Sequence, residues 1–320
     1  MDTIEQQAVV GSMSGKPTGL DKFTVQIVCP QCKGQLHSIP HALTCESCKS
    51  EFPFEGDYPD LIVGQRYNDD TPEDEIRGED DGNRATAKRY WIPLFKELWG
   101  KRPGAPTVLS LGCGVGSDVD QLCAAGFRAV GIDNGKRAAA WTEQRNRPAF
   151  FRANGQYMPF EDETFDFVYC GCVFPHVGVQ GMTYNVTEDY YKQRLALAKE
   201  MVRVVKKGGR IISCNPNRNF PFDIFHGHRG GKFTARRTPR SNPLLLSARD
   251  YERLFGDAGC RKFETLPVDN YWGFTGSSRT LKGTILTLPV RFIFWLVSRP
   301  QLQFMRASMF NPWLIMMMKK

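Results

Sequence analysis

The sequence lacks a hydrophobic run long enough to cross a lipid bilayer, which takes about 20 apolar residues. Its most apolar stretch, residues 284–297, is interrupted by Pro289 and Arg291, and residues 309–318 form a shorter one. The N-terminal residues MDTIEQQAVVGSMSG also lack the basic and apolar segments of a secretion signal. We therefore expect a cytoplasmic protein whose ten cysteines are reduced and serve as metal ligands or packing residues.

The composition has no extreme that would indicate a disordered, collagen-like or coiled-coil protein. Hydrophobic residues make up 41% and charged residues 24% of the chain, and 320 residues allow one large core with an appendage. The net charge of +8 is uneven, because residues 51–81 contain twelve acidic and two basic residues. The basic remainder attracts anions in general, namely nucleic acid, phospholipid head groups or an anionic small molecule. Charge alone does not select among them.

Four cysteines form two closely spaced pairs near the N-terminus. Cys29 and Cys32 make one Cys-x-x-Cys motif, and Cys45 and Cys48 make the second. Two such motifs supply four thiolates to a tetrahedral ion, and zinc is the usual occupant. A module of this size has almost no core, so metal binding would supply much of its folding energy. The pattern predicts a structural zinc site, with redox-active cysteine pairs as the alternative.

The sequence around these cysteines resembles the short zinc ribbon that acts as a methyltransferase activator and is also found fused to bacterial methyltransferases. The resemblance covers about residues 25–63. After the second cysteine pair come Phe52-Pro53, Glu55-Gly56 and the strand-like Pro59-Asp60-Leu61-Ile62, in the order typical of that module.

From residue 107 onward, short apolar runs alternate with amphipathic segments. Residues 107–113, 129–133, 149–153, 165–172 and 210–214 have the length and composition of buried parallel strands. Helices are predicted over residues 117–125, 135–146, 188–206 and 249–258, the last after a capping box that starts at Ser247. This alternation predicts an α/β fold with a doubly wound sheet.

A glycine-rich turn follows the first of these strands. Gly112, Gly114 and Gly116 let the backbone turn sharply and approach a ligand that a Cβ atom would block. Asp133 ends the next strand, where a carboxylate can accept both ribose hydroxyls of an adenosine cofactor. Residues 154–156, Asn-Gly-Gln, follow the third strand, where a side-chain amide can bind the adenine edge.

These segments resemble the class I S-adenosylmethionine-dependent methyltransferases of the type 11 group. Two further segments share the resemblance, Met158-Pro-Phe-Glu-Asp-Glu-Thr-Phe-Asp-Phe-Val168 and Glu200-Met-Val-Arg-Val-Val-Lys-Lys-Gly-Gly209. The resemblance covers about residues 107–260. It implies a seven-stranded Rossmann-like sheet and S-adenosylmethionine as cofactor. Ser110 departs from the family, which commonly has an acidic residue there to help hold the methionyl amine.

The resemblance also locates the cofactor residues. It implies that the three glycines lie against the methionine and ribose portions and that Asp133 binds the ribose. Asn154, with Gly155 and Gln156, would lie at the adenine.

The acceptor side is predicted from residues after the fourth and fifth strands. His176 follows the fourth strand and either takes a proton from the acceptor or braces its loop. The long connection after the fifth strand contains Arg218, His226 and His228, which we predict to bind the substrate. Residues 199–240 contain eleven basic and two acidic residues, which indicates either an anionic acceptor or a solvated flexible loop.

The domain plan follows from these segments. We predict a flexible tail at residues 1–20, a zinc ribbon at 21–63, an acidic linker at 64–83 and a methyltransferase domain at 84–320. Residues 217–246 and 271–308 would be acceptor-side insertions in that domain, the second forming a C-terminal cap, and residues 312–318 its last antiparallel strand. The alternatives for the apolar C-terminal segment are core packing and a helix that lies on a membrane surface.

Three functions remain open at this point. The chain methylates a small-molecule or lipid/glycan-linked acceptor at O, N or C, or it methylates ribosomal or transfer RNA held by the zinc ribbon and the basic loop. The third alternative is a non-catalytic scaffold that binds S-adenosylmethionine. No transmembrane span is expected, although contact with a membrane surface is compatible with the sequence.

Overall fold

A computed structural model describes ten stretches of the chain. They are residues 25–56, 58–67, 73–144, 149–180, 185–223, 228–229, 232–233, 236–237, 243–271 and 281–320. The predicted tail at residues 1–20 and His226 lie outside the described residues.

Fifteen β-strands are assigned within the described residues. They are β1 Leu36–Ile39, β2 Ala42–Cys45, β3 Glu51–Glu55, β4 Tyr58–Leu61, β5 Thr107–Leu111, β6 Arg128–Asp133, β7 Ala149–Ala153, β8 Phe165–Gly171, β9 Val205–Pro216, β10 Phe222–Asp223, β11 His228–Arg229, β12 Lys232–Phe233, β13 Arg236–Arg237, β14 Lys262–Thr265 and β15 Trp313–Lys319. The predicted strands of the doubly wound domain are confirmed as β5, β6, β7, β8 and β9.

The central part of the sheet has the order β7-β6-β5-β8-β9-β15-β14. The strands from β7 to β9 are mutually parallel, and β15 runs antiparallel to both of its neighbours, β9 and β14. This is the seven-stranded, doubly wound sheet expected from the sequence, with residues 313–319 as its antiparallel strand. The carboxyl ends of the parallel strands meet at one edge, where open α/β sheets bind their ligands.

The N-terminal ribbon extends the same sheet instead of forming a separate body. Strands β1 to β4 form an antiparallel series, and β4 pairs in parallel with β7 through Asp60–Arg152 and Leu61–Ala153. The result is one sheet of eleven strands. Buried Leu43 of the ribbon belongs to the same apolar core as Phe160 of the methyltransferase-like part.

Six α-helices accompany the sheet in the described residues. They are α1 Glu73–Thr86, α2 Ile92–Trp99, α3 Ser117–Ala124, α4 Tyr190–Val204, α5 Ala248–Asp257 and α6 Leu281–Val297. A π-helical turn, Ala87–Trp91, joins α1 to α2, and the predicted helix at 135–146 is a 3-10 helix, Lys136–Glu143. The capping box of α5 is present, with Ser247 and Asp250 bonding each other's backbone amides.

The acidic linker predicted at residues 64–83 is helical from Glu73 onward, so this part of the prediction is wrong. Acidic residues suppress helix formation when they repel one another in solvent, but here Arg84 bonds both Asp80 and Asp120. Tertiary ion pairs therefore outweigh the unfavourable local composition.

The core lies on both faces of the sheet, because alternate strand residues point to opposite sides. Leu109 and Val168 belong to one buried cluster, and their neighbours Val108 and Phe167 belong to the other. Ala198 and Met201 of α4 are fully buried in the first cluster. None of the helices in the described residues is long and apolar enough to span a membrane.

Candidate active site and metal site

The glycine loop between β5 and α3 lies at the carboxyl edge of the sheet. Gly112, Gly114 and Gly116 all have left-handed backbone conformations, with φ of 68°, 55° and 78°. A Cβ atom on Gly112 would lie 2.5 Å from Cγ2 of Val173, and one on Gly116 would lie 2.7 Å from Cε1 of Phe150. Side chains are thus excluded from this turn by both conformation and space.

Asp133, at the end of β6, is joined directly to the glycine loop. Its carboxylate accepts hydrogen bonds from the amides of Gly114 at 2.8 Å and Gly135 at 2.7 Å. Burial raises the pKa of Asp133, and the two amides and the charge of Arg137 offset part of that rise. The carboxylate therefore lies against the loop, as the prediction requires of a group that binds the ribose.

Asn134 is a site residue that sequence reasoning missed. Its Nδ2 donates to the carbonyl of Gln65 at 2.9 Å, but its buried Oδ1 has no hydrogen-bond partner within the described part of the chain. A buried acceptor without a partner is costly, so a ligand group that donates to it would be favoured. Its position directly after Asp133 is the sequence signal that could have found it.

A short segment after the ribbon crosses the cofactor edge. We call residues 62–67 the strap. Asn154, the predicted adenine-binding residue, donates through Nδ2 to the carbonyls of Val63 at 3.1 Å and Gln65 at 3.4 Å. An ion pair joins Arg66, near the end of the strap, to Asp60 of β4. The ribbon is thus linked to the predicted adenine site through the backbone of the strap.

Gly155 and Gln156 contact other parts of the protein. The side-chain amide of Gln156 donates to the carbonyl of Gln193 in α4 at 2.9 Å. A Cβ atom on Gly155 would lie 2.6 Å from Leu197 and 2.8 Å from Leu111. The structure therefore joins Asn154 to the strap, whose Gln65 carbonyl also bonds Asn134, but directs the Gln156 side chain toward α4.

Helix α1 covers the glycine loop with acidic side chains. Glu79 forms two hydrogen bonds with Arg137, both 2.9 Å long, and the pair lies beside Gly114. The hydroxyl of Ser117 also donates to the backbone carbonyl of Asp80 at 3.3 Å. Acidic side chains of α1 thus lie next to the glycine loop, a position that the composition of the segment did not predict.

Asp118 brings a carboxylate next to Ser110. Its Oδ2 accepts hydrogen bonds from the hydroxyls of Ser110 at 2.9 Å and Tyr169 at 2.5 Å. Burial raises the pKa of Asp118, and these hydroxyl bonds offset part of the rise. A carboxylate therefore lies at the end of β5 after all, contributed by the first turn of α3.

His176 lies in a 3-10 turn after β8, at the same edge of the sheet. Its exposed ring packs edge-on against Tyr67 of the strap, with the Tyr67 hydroxyl 3.5 Å from Nδ1. Val173, three residues earlier, is the side chain that contacts Gly112. The loop that carries His176 is therefore a neighbour of the glycine loop in space.

The predicted acceptor-side residues are only partly described. Arg218 forms an ion pair with Asp250 of α5, with Nη1 3.1 Å and 3.0 Å from the two carboxylate oxygens. His228 lies in β11, which pairs with β12, and the position of its side chain is not described. Arg218 is consequently held by the fold, while His226 and His228 stay predictions.

The four cysteines near the N-terminus converge on one point. All four sulfur atoms lie within 4.8 Å of one another, with 3.7 Å between Cys29 and Cys48 and 3.5 Å between Cys32 and Cys45. A tetrahedral zinc with Zn–S bonds of about 2.3 Å places its sulfur ligands roughly 3.8 Å apart, so the residues fit that ion.

The two cysteine turns have the same backbone construction. The amide of Lys33 donates to the carbonyl of Cys29 at 2.8 Å, and that of Lys49 donates to Cys45 at 3.1 Å. Both lysines have left-handed conformations, with φ of 63° and 61°. This repetition orients both pairs of sulfur atoms toward one site.

Residues 109–213 match a family model described as a methyltransferase domain. The match includes the glycine loop and Asp133, so this segment is similar to a methyltransferase domain, as the sequence predicted.

The curated relatives are named only as methyltransferases. An "Uncharacterized methyltransferase" of Mycobacterium leprae is 30% identical over 128 residues, which are 38% of this chain and 42% of that protein. One of Mycolicibacterium vanbaalenii is 29% identical over 129 residues, 38% of this chain and 45% of that protein. The chain thus spans less than half the length of these relatives.

Similar folds occur among solved structures at low sequence identity. A chain from a complex between the Haloferax volcanii Trm112 methyltransferase activator and a methyltransferase is 16% identical, with 78% of this chain and 97% of that chain covered and a TM-score of 0.41. A phosphoethanolamine N-methyltransferase 2 of Haemonchus contortus is 15% identical, with 77% and 58% covered and a TM-score of 0.43.

Proposed function

We propose that this protein transfers a methyl group from S-adenosylmethionine to a small-molecule or lipid/glycan-linked acceptor, with an anionic group on the acceptor. The observation that carries the proposal is the contact between the glycine loop and Asp133, within the segment that matches the methyltransferase model. S-adenosylmethionine, when bound, supplies a methyl group on a positively charged sulfur, which is already activated for displacement. The protein then has to bind, align and desolvate the reacting groups.

The residues at the edge of the sheet suit each part of this cofactor. The side-chain-free loop at Gly112 and Gly116 accommodates a closely approaching ligand, and Asp133 would accept the ribose hydroxyls. Next to Asp133, Asn134 offers its buried Oδ1, which has no hydrogen-bond partner among the described residues. Asp118 is the carboxylate available to the methionyl amine where Ser110 departs from the family.

His176 is the residue we assign to proton removal from the acceptor. Histidine exchanges protons near neutral pH, and general-base catalysis contributes about 10²–10⁴-fold to a rate. Tyr67 lies against one ring nitrogen, Nδ1, and would orient the ring so that Nε2 faces an acceptor. The basic connection after β9 would supply the attraction for the anionic part of that acceptor.

The proposal includes a structural Zn²⁺ held by Cys29, Cys32, Cys45 and Cys48. It also includes a cytoplasmic location, in which these thiols stay reduced. The ion would fix the two cysteine turns. Since β4 of the ribbon pairs with β7, that order would extend to the strap and to Asn154.

The proposal is tested by incubating the protein with methyl-labelled S-adenosylmethionine and a cell extract separated into lipid, RNA and small-molecule pools. Label in the lipid or small-molecule pool supports it. Label confined to RNA would replace it with an RNA methyltransferase that uses the ribbon and the basic loop. If no pool gains label although S-adenosylhomocysteine binds, the chain is a cofactor-binding scaffold.

The role of His176 is tested by His176→Asn once a labelled acceptor pool is found. We expect turnover to fall about 10²–10⁴-fold with S-adenosylhomocysteine affinity unchanged, because a general base acts on the acceptor and not on the cofactor. His41→Asn, an exposed histidine of the ribbon, is the matched control and should keep full turnover. A small loss of turnover accompanied by a lower thermal midpoint would show that His176 only braces its loop.

A further inference from the structure

Helix α6 has apolar residues on two opposite faces. One face packs into the core with Phe294 and Val297, which are 3% and 0% exposed. A helix that is apolar on both sides is expected inside a large core or at a membrane, but α6 has no described element over its second face.

The second face carries a continuous exposed stripe. Ile285, Leu288, Phe292 and Trp295 are 57%, 54%, 60% and 43% exposed. At 100° per residue these four positions fall within an arc of about 80° on the helix, on the side away from Phe294. We call these four residues the α6 stripe.

Further exposed apolar residues follow α6 along the chain. Phe304 is 74%, Met309 43% and Phe310 57% exposed. Large exposed apolar side chains grouped in this way mark an interaction surface, because scattered single residues are the usual pattern on a monomer.

The segment that carries the stripe is rich in basic residues. Residues 271–320 contain seven basic residues and no acidic residue. The guanidinium of Arg299 lies 4.1 Å from the ring centre of Trp295, so a positive charge sits at the end of the stripe itself. Aromatic and aliphatic residues on one helix face with basic residues at its border are typical of helices that lie in the interface of an anionic bilayer.

We propose that the α6 stripe docks on the surface of a lipid bilayer that contains anionic phospholipids. A second copy of this chain is the less favoured occupant, because two surfaces of the same positive sign would face each other. The docking does not depend on the proposed methyl transfer and can be measured without cofactor.

Docking by this face would bring the acceptor side of the sheet edge close to the lipid. The side-chain amide of Asn217, just beyond β9, donates to the carbonyls of Ser308 and Asn311, both at 2.9 Å. The amide of Asn219 donates to the carbonyl of Ala307 at 3.0 Å. The exposed residues around position 309 are therefore tied to the loop that leaves the carboxyl end of β9.

Co-sedimentation with phosphatidylcholine vesicles, with and without about 30 mol% phosphatidylglycerol, tests the proposal. We expect binding to the anionic vesicles that weakens with added salt and is much weaker on phosphatidylcholine alone. The double variant Ile285→Ser with Phe292→Ser should reduce the partition coefficient about tenfold or more. Ile39→Ser with Tyr157→Ser removes two exposed apolar residues elsewhere and should leave binding unchanged.

The fluorescence of Trp295 provides a second readout, which reports directly on the surroundings of the α6 stripe. Its emission should shift to shorter wavelength on vesicle addition, and Trp295→Phe should abolish the shift while retaining sedimentation. No binding to anionic vesicles, or equal binding by the two double variants, would overturn the proposal. A concentration-dependent dimer that Ile285→Ser with Phe292→Ser dissociates would assign the stripe to a second copy instead.

Discussion

On the cofactor side of the sheet edge, each described loop is tied to another element by side-chain bonds that cross long stretches of sequence. Asn154 bonds the strap, and Arg137 bonds Glu79 of α1. On the acceptor side, strands β10 to β13 pair only with one another in the described residues, as two small two-stranded sheets outside the main sheet. The cofactor side is therefore built as part of the fold, whereas β10 to β13 on the acceptor side are attached to it.

This difference has a physical reason. One cofactor has fixed dimensions, so its site gains from rigid elements that hold each contact in place. An acceptor loop has to admit and release a second molecule, and segments with few ties to the core open at low cost. Changes on the cofactor side should therefore cost much more stability than changes on the acceptor side.

The largest effect is expected from Cys45→Ser, which removes a buried ligand of the proposed zinc. Structural zinc contributes about 10–16 kcal/mol of apparent binding free energy in small zinc-finger peptides. We expect loss of stoichiometric zinc, a strongly lowered thermal midpoint and weaker S-adenosylhomocysteine binding, measured by elemental analysis, calorimetry and titration. Cys123→Ser lies outside the cluster and should keep one zinc. Retention of zinc and midpoint in Cys45→Ser would contradict the metal assignment.

A smaller effect is expected from Gly116→Ala. The left-handed conformation costs about 1–2 kcal/mol for a non-glycine residue, and the new Cβ atom would press on the ring of Phe150, which is stacked on Trp141. We expect about 2–5 kcal/mol less free energy of unfolding in urea. Gly126→Ala, also left-handed but with open space around it, should cost only the conformational part. Equal losses in the two variants would show that the loop is not closely packed.

Glu200→Gln tests the bond between the ribbon and the core. Glu200 accepts hydrogen bonds from Lys33 at 3.0 Å, from the amide of Met158 at 2.8 Å and from Arg203 at 2.6 Å. We expect a loss of roughly 2–3 kcal/mol at neutral pH, because two cations lose their charged partner. Urea unfolding measures it, and Glu161→Gln, an exposed position, is the control.

The pH dependence of this loss has a definite sign. Burial alone would raise the pKa of Glu200, but Arg203 and Lys33 outweigh it and hold the pKa below its usual value of 4.5. The stabilisation is therefore complete above that value and disappears as the pH falls through the lowered pKa. The gap between wild type and Glu200→Gln should narrow in acid, and a gap independent of pH would refute the ion-pair explanation.

The smallest effect is expected on the acceptor side, from Arg236→Gln combined with Arg237→Gln in β13. Since β13 pairs only with β10 among the described strands, the free energy of unfolding should change by less than about 0.5 kcal/mol. S-adenosylhomocysteine affinity should also be unchanged, while the concentration of an anionic acceptor needed for half-maximal rate rises. A loss of stability comparable with that of Gly116→Ala would remove the distinction between the two sides.

The sequence by itself determined the features that depend on local chemistry. Apolar runs of strand length and helical patterns predicted β5 to β9 and α3 to α5. The spacing of Cys29, Cys32, Cys45 and Cys48 predicted four converging sulfur atoms. The glycine loop and Asp133 were also readable, because a strand, a turn and a carboxylate at the next strand end are fixed by short-range geometry.

Only the tertiary structure decided what covers this edge. Three contacts cover it: β4 pairs with β7, the strap bonds Asn154, and α1 lies over the glycine loop. They join residues about 60 to 90 positions apart. No periodicity in the sequence encodes such contacts, because they depend on which surfaces meet once the sheet has formed. The hydrogen bond from Ser110 to Asp118 also depends on tertiary structure. It forms because the first turn of α3 folds back beside the end of β5.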